Sequence, residues 1–212
     1  MVKVNEIYFS VQGESTKAGL PCVFVRLTYC NLRCSYCDTE YAFFEGKDFS
    51  TEEIIAEVKK YNCKLVEITG GEPLVQAECS ELMTELCNEG FEVLLETSGS
   101  LPVKNLDSRI KIIMDLKCPS SGMLKKNNYE NISFLKPTDE VKFVIGSDED
   151  YNWAKNLIAE YKLDEKCIIL FSCVFGRLEP VTLVDWILKD NLNVRFQLQM
   201  HKFIWDPAAK GV

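Results

Sequence analysis

Short apolar runs alternate with amphipathic stretches along most of this chain, and that alternation limits the fold more than any other feature. Residues 22–28, 65–69, 92–96, 110–115, 140–145 and 167–172 are the apolar runs, of a length suited to buried strands. Ser50-Thr-Glu-Glu53 reads as a capping box, after which Ile54, Ile55, Val58 and Tyr61 mark one helix face. A second helix is expected from about residue 75 to 88, stopped by Gly90, a third from a Ser147 cap to about residue 161, and a last one near 181–189. Between 115 and 140, Ser120-Ser121-Gly122 and Lys136-Pro137 indicate a loop with a short helix at most. A final extended segment covers 193–199, with Gln197, Gln199 and His201 on one face.

Strands and helices in this order imply an α/β fold, a parallel sheet with right-handed crossovers. About six strand–helix units precede the last strand, too few for an eight-fold barrel. An incomplete (βα)6-type partial barrel is therefore expected over a flat doubly wound sheet, although periodicity alone does not separate the two. Residues 3–10 alternate, with Val4, Ile7 and Phe9 apolar, and are expected to add an N-terminal edge strand. No repeat, linker or low-complexity tract divides the chain, so residues 1–212 are read as one domain.

Lys+Arg number 24 against 32 Asp+Glu, a formal net charge of −8, which argues against nucleic acid or an anionic membrane as partner. Apolar runs are too short to span a bilayer, and residues 1–5 carry no apolar signal core, so a cytoplasmic location is expected. Ten cysteines in such a setting point away from disulfides and toward packing plus a metal site. Cys22, Cys63, Cys79, Cys87, Cys118, Cys167 and Cys173 show no ligand spacing and are read as small buried hydrophobes.

Cys30, Cys34 and Cys37 stand apart, on the loop that ends the first parallel strand, the end where folds of this kind place their chemistry. A structural zinc needs four ligands, and the single histidine, His201, lies far away in sequence. A [4Fe–4S] cluster on three cysteines leaves one iron open to bind and polarise something else. This C-x-x-x-C-x-x-C spacing with Tyr36 before the third cysteine resembles the cluster loop of the radical S-adenosylmethionine (SAM) superfamily, and Thr69-Gly70-Gly71-Glu72-Pro73 resembles its G-G-E-x-P element. The resemblance implies that the open iron chelates SAM and that the reduced cluster cleaves it to a 5′-deoxyadenosyl radical, on a radical SAM core.

Other segments narrow the reaction. Ser10-Val-Gln12-Gly13-Glu14-Ser15 is either a surface turn or a loop offering an amide, a backbone edge and a carboxylate to a pterin or guanine-like ring. Arg26, in an apolar strand, is either an interior cation awaiting an anion or an outward solvated residue, and the apolar outside of parallel sheets favours the interior. With Asp38-Thr39, Glu96-Thr97, Asp115-Leu-Lys-Cys-Pro-Ser-Ser, His201, Trp205 and Gly211-Val212, these segments are together similar to the 7-carboxy-7-deazaguanine synthase family over nearly the whole chain. That resemblance implies ring contraction of 6-carboxy-5,6,7,8-tetrahydropterin with loss of ammonia, on the route to queuosine, with SAM regenerated.

Residue roles follow from the same resemblance. Cys30, Cys34 and Cys37 ligate the cluster; Tyr36, Asp38, Gly71, Glu72, Glu96, Asp115, Lys117, Ser172 and Phe175 lie against SAM; Thr39 contacts Mg²⁺. Gln12, Gly13, Glu14, Arg26, Thr69, His201 and the carboxylate of Val212 meet the pterin. An external electron donor and a homodimer are implied too. Some members space their first two cluster cysteines much further apart; this chain has the short version. Two rivals remain, a glycyl-radical-enzyme activating protein with the same cysteine loop, and a non-catalytic zinc module built on the three cysteines and His201.

Overall fold

All residues from Met1 to Val212 are described by a computed structural model. Its strands are β1 (Val2–Val11), β2 (Pro21–Leu27), β3 (Lys47–Phe49), β4 (Leu65–Gly70), β5 (Glu92–Thr97), β6 (Lys111–Asp115), β7 (Glu140–Ile145), β8 (Ile168–Cys173) and β9 (Arg195–Phe196). They form one open sheet in the order β3-β1-β2-β4-β5-β6-β7-β8-β9. From β2 to β9 every neighbouring pair is parallel, whereas β1 runs antiparallel to β2 at the edge, where the short β3 covers its first three residues. The sheet does not close, in keeping with the partial barrel expected from the unit count.

Helices α1 (Thr51–Lys59), α2 (Cys79–Asn88), α3 (Asp148–Tyr161), α4 (Leu163–Lys166), α5 (Pro180–Lys189) and α6 (His201–Ile204) complete the fold. The capping box at α1 forms, with the Glu53 amide donating to Ser50 Oγ at 3.2 Å and the Ser50 amide to Glu53 Oε2 at 2.7 Å. The crossover from β5 to β6 is irregular, and that from β6 to β7 holds only short 3-10 turns, because Gly, Pro and Asn residues break any apolar period there. No helix is long and apolar enough to cross a membrane.

Two expectations need correction. The helix expected from residue 75 begins at Cys79, because Gln76 is extended and its side chain stitches β1 to the end of β2. The Lys3 amide donates to Gln76 Oε1 at 2.7 Å, and Gln76 Nε2 donates to the carbonyls of Lys3 and Thr28. Near the C-terminus only Arg195 and Phe196 pair with β8, so Gln197, Gln199 and His201 do not share the face of one strand. The chain is drawn aside at Met200, whose amide donates to the Gly13 carbonyl at 3.0 Å, and His201 starts α6.

Along each parallel strand, residues alternate between two faces. One face packs against helices in two apolar clusters. Val25, Ile68 and Leu95 meet Leu82, Met83 and Leu86 of α2, while Phe143 and Phe171 meet Leu157 of α3 and Leu183 of α5. Each of these buried side chains contributes about 1.5–3 kcal/mol of burial energy. The other face carries a small apolar group, Cys22, Phe24, Leu65, Leu94 and Ile113, and above it the charged residues of the site.

Candidate active site

On that second face the sheet presents Arg26 of β2, Glu67 and Thr69 of β4, Glu96 of β5, Asp115 of β6 and Lys142 of β7. All six line a cavity of about 380 Å³. Lys142 is its electrostatic centre. It is 4% exposed, and its Nζ lies 2.6 Å from Glu14 Oε2, in contact with Glu96 Oε1 and 3.9 Å from Asp115 Oδ2. Lys117 Nζ holds the same Asp115 oxygen at 2.9 Å. Burial disfavours the Lys142 ammonium, but Glu14, Glu96 and Asp115 outweigh it and hold its pKa well above the ordinary lysine value. Glu14, although buried, is held low by Lys142.

Glu67 behaves in the opposite way. Burial, with Glu96 and Glu14 nearby, drives its carboxyl well above the usual range and favours its protonated form. Gln12 Nε2 hydrogen-bonds Glu67 Oε2, and the Glu14 amide donates to Gln12 Oε1 at 3.0 Å. The Gln12 amide is thereby oriented from both ends. Gly13 is needed for the next contact, since a Cβ there would come 2.5 Å from His201 Nδ1. Gln199 Nε2 donates to Glu14 Oε1 at 2.7 Å, so the loop after β1 and the C-terminal segment close one side together. Burial lowers the His201 pKa and favours its neutral form.

Arg26 faces the interior, as the apolar outside of the sheet required, but its anion is already present. Nε donates to Glu6 Oε1 at 2.7 Å and Nη2 to Tyr8 Oη at 2.8 Å, with the Tyr41 hydroxyl donating to the same Glu6 oxygen. Nη1 makes no such bond, and the residue still lines the cavity.

The three cysteines sit on the loop leaving β2, after Tyr29 at φ 78°, and all three line the cavity. Buried Leu32 pins the loop inward, and the Leu32 amide donates to Cys30 Sγ at 3.4 Å. Gly70 and Gly71 permit this packing. A Cβ at Gly71 would lie 2.2 Å from the Tyr29 carbonyl oxygen and 2.7 Å from Cys30 Cβ, and Gly70 has φ +146°. Burial raises all three thiol pKa values, so ligation of a metal releases protons. Three thiols of one loop lining the same cavity are the donor set of an iron–sulfur cluster, and the cavity also offers Asp115 Oδ1, buried and without a partner, as an acceptor for a bound molecule.

Tyr36, Asp38, Thr39, Thr69, Gly71, Glu96, Asp115, Lys117, Phe175, His201 and Val212 also line the cavity. Lys202 at 2.7 Å holds the exposed Asp38 at about 2, while Thr39 Oγ1 donates to Asp38 Oδ1 at 3.0 Å. Two expected residues are not brought in. Glu72 is fully buried, its oxygens accepting from the Leu74 amide, Thr97 Oγ1, and both the amide and hydroxyl of Ser98. Its work is to lock the end of β5 to the β4 loop, leaving no free oxygen to hold an ammonium. Ser172 is buried at the end of β8 beneath Val174 and Phe175, which do line the cavity, and its hydroxyl has no partner.

Sequence reasoning missed Glu67 and Lys142. Each is a charged residue inside a buried apolar strand, the signal that placed Arg26 in the interior.

A family model described as the radical SAM superfamily matches residues 25–166. The 7-carboxy-7-deazaguanine synthase of Chlorobaculum tepidum is 46% identical over 100% of this chain and 97% of its own length. That of Koribacter versatilis is 45% identical over the full length of both. Among solved structures, QueE from Escherichia coli superposes with a TM-score of 0.73 at 22% identity, covering 94% of each chain.

Proposed function

Because the chain belongs to the radical SAM superfamily and within it to the 7-carboxy-7-deazaguanine synthase family, we propose that it converts 6-carboxy-5,6,7,8-tetrahydropterin to 7-carboxy-7-deazaguanine with loss of ammonia. The observation that carries this reading is a single cavity holding the three-cysteine wall together with the Glu14–Lys142–Glu96 array. Cys30, Cys34 and Cys37 hold a [4Fe–4S] cluster on this reading, and Asp115, Lys117, Tyr36 and Asp38 surround SAM. With SAM on its open iron, such a cluster supplies when reduced a carbon-centred radical that removes a hydrogen atom.

The remaining residues bind, orient and exclude water. Gln12 and Glu14 present a fixed acceptor and donor edge suited to the pterin ring, because each is already held by a second residue. Arg26, Thr69 and His201 line the same cavity, with a cation and neutral donors suited to the carboxylate on the pterin. Thr39 offers a hard hydroxyl oxygen to a Mg²⁺ ion shared with that substrate. Residues Pro207 to Val212 lie along the mouth and keep the cavity to the size of a small molecule, which disfavours the protein-loop substrate of an activating enzyme.

The test is anaerobic incubation of the cluster-loaded, reduced protein with SAM, Mg²⁺ and 6-carboxytetrahydropterin. The expected result is a product with the mass of 7-carboxy-7-deazaguanine. SAM cleavage without that product would overturn the substrate assignment, and a colourless, zinc-containing protein would overturn the enzyme.

A further inference from the structure

The face of the sheet that carries the site continues below the cavity, and a second group of buried charges stands there. Lys111 opens β6 and Glu140 opens β7, on the same face as Asp115 and Lys142 further along those strands. Glu140 is fully buried, and its carboxylate pairs with the largely buried Lys111. Neither residue lines the cavity. Thr16, from the loop that joins β1 to β2, bonds to both. Its amide donates to Glu140 Oε1 and Oε2 at 3.1 and 3.3 Å, its hydroxyl donates to Glu140 Oε1, and Lys111 Nζ donates to that hydroxyl.

The loop therefore has two holds on one strand. Thr16 is held by Glu140, and Glu14, two residues earlier, is held by Lys142, two residues further along β7. Residues two apart on a strand share a face, so this double pairing admits one register of the loop. Ser15 between the two is buried with φ 65°, a left-handed conformation that costs a non-glycine residue energy and persists only where its surroundings fix it. Its amide donates to Gln197 Oε1 at 2.8 Å, and its hydroxyl accepts from the Lys17 amide at 3.0 Å. A slip of one residue would withdraw Glu14 from Lys142, and the Glu14 amide from Gln12 Oε1. A buried ion pair is a poor source of stability, and its best use is to fix one arrangement among several. The loop's other pair, Lys17 with Glu92, lies at the rim, where Glu92 is exposed, and is weak for that reason.

We propose that Glu140, with Lys111, is a positioning residue for pterin recognition: through Thr16 it sets the register of the 12–20 loop and so places Gln12 and Glu14 against the substrate ring. The role in recognition rests on the pterin reading above, whereas the register does not.

The experiment compares wild type with Glu140→Gln, Thr16→Val and Thr16→Ser, and with Lys17→Met as a control that breaks only the rim pair. Hydrogen exchange across residues 12–20, followed by mass spectrometry on protein with cluster and SAM but no pterin, reads the hold on the loop. Steady-state turnover gives KM for 6-carboxytetrahydropterin against kcat, and SAM affinity is titrated separately. Glu140→Gln is expected to raise loop exchange and KM about tenfold and Thr16→Val about threefold, with kcat and SAM affinity within about twofold of wild type. Thr16→Ser restores the hydroxyl and is expected to match wild type, as is Lys17→Met. Thr16→Val is nearly isosteric and keeps the amide bond to Glu140, so it decides the matter even if Glu140→Gln does not fold. Unchanged KM or unchanged loop exchange in Thr16→Val would overturn the proposal, as would an equal loss of SAM affinity, the mark of a fold loosened throughout. A wild-type protein that makes no product from this pterin would overturn the substrate reading instead, and loop exchange would still decide the register.

Discussion

The two faces of the sheet are built from alternate residues of the same strands, yet they obey different rules. Val141 and Phe143 of β7 pack into an apolar cluster against the helices, while Lys142 between them is buried among carboxylates. The helix-covered face stabilises the fold through close packing of apolar volume. The cavity face costs stability, because desolvated charges are offset only where partners are well placed. A chain keeps such a face for what it binds, so substitutions on the two faces are expected to fail in different ways.

The sharpest contrast comes from Cys34→Ala, which removes one of three ligands on the cavity wall. It is expected to abolish cluster binding and turnover together while leaving the melting temperature of the cluster-free protein within about 2 °C, as for other substitutions outside the packed core. Iron analysis, activity and calorimetry check the three parts. On the helix-covered face, Phe143→Ala is expected to cost about 3–5 kcal/mol by denaturant unfolding, since the ring is fully buried and touches Trp153 and Phe171 edge-on. Lys142→Met crosses the divide, leaving Glu14 and Glu96 without their cation. It is expected to cost about 3 kcal/mol at neutral pH and less in acid, where the carboxylates protonate, and to weaken pterin binding in the same protein.

A smaller effect isolates Glu67. Its folded-state pKa is raised, so its contribution to stability is complete below the ordinary carboxylate range and is lost as pH rises through the folded value. Glu67→Gln mimics the protonated form and is expected to gain stability relative to wild type as pH rises above the ordinary carboxylate range, read as the difference in melting temperature. Smallest is Thr39→Ala, which leaves the cluster intact and removes most of the stimulation by Mg²⁺; equal stimulation of both proteins would refute that role.

What could be read in advance followed the range of the interactions. The cysteine spacing and Thr69-Gly-Gly-Glu-Pro73 are local, and so were legible without a fold. The strands were legible too, because burial on both faces leaves nearly continuous apolar runs. Glu72 was misjudged because its partner Ser98 arrives from the next strand, 26 residues later. Gln76 and His201 depart from their local pattern for a similar reason, one tied to β1 and the other packed on the loop that follows it, which no local period reports. Glu67 and Lys142 were visible as charges in apolar strands, but only the curvature of the sheet brings them together with Glu14 from the first loop.

The most direct measurement sets pterin affinity against thermal stability for Glu14→Gln, an isosteric change whose amide oxygen can still accept from Lys142. With cluster and SAM bound, the dissociation constant for 6-carboxytetrahydropterin is predicted to rise at least tenfold, the loss of about 1.4 kcal/mol expected for one charge-assisted hydrogen bond, while the melting temperature moves by no more than about 2 °C. Unchanged affinity with a melting temperature lowered as far as in Phe143→Ala would mean that the charged face holds the fold together and does not recognise the substrate.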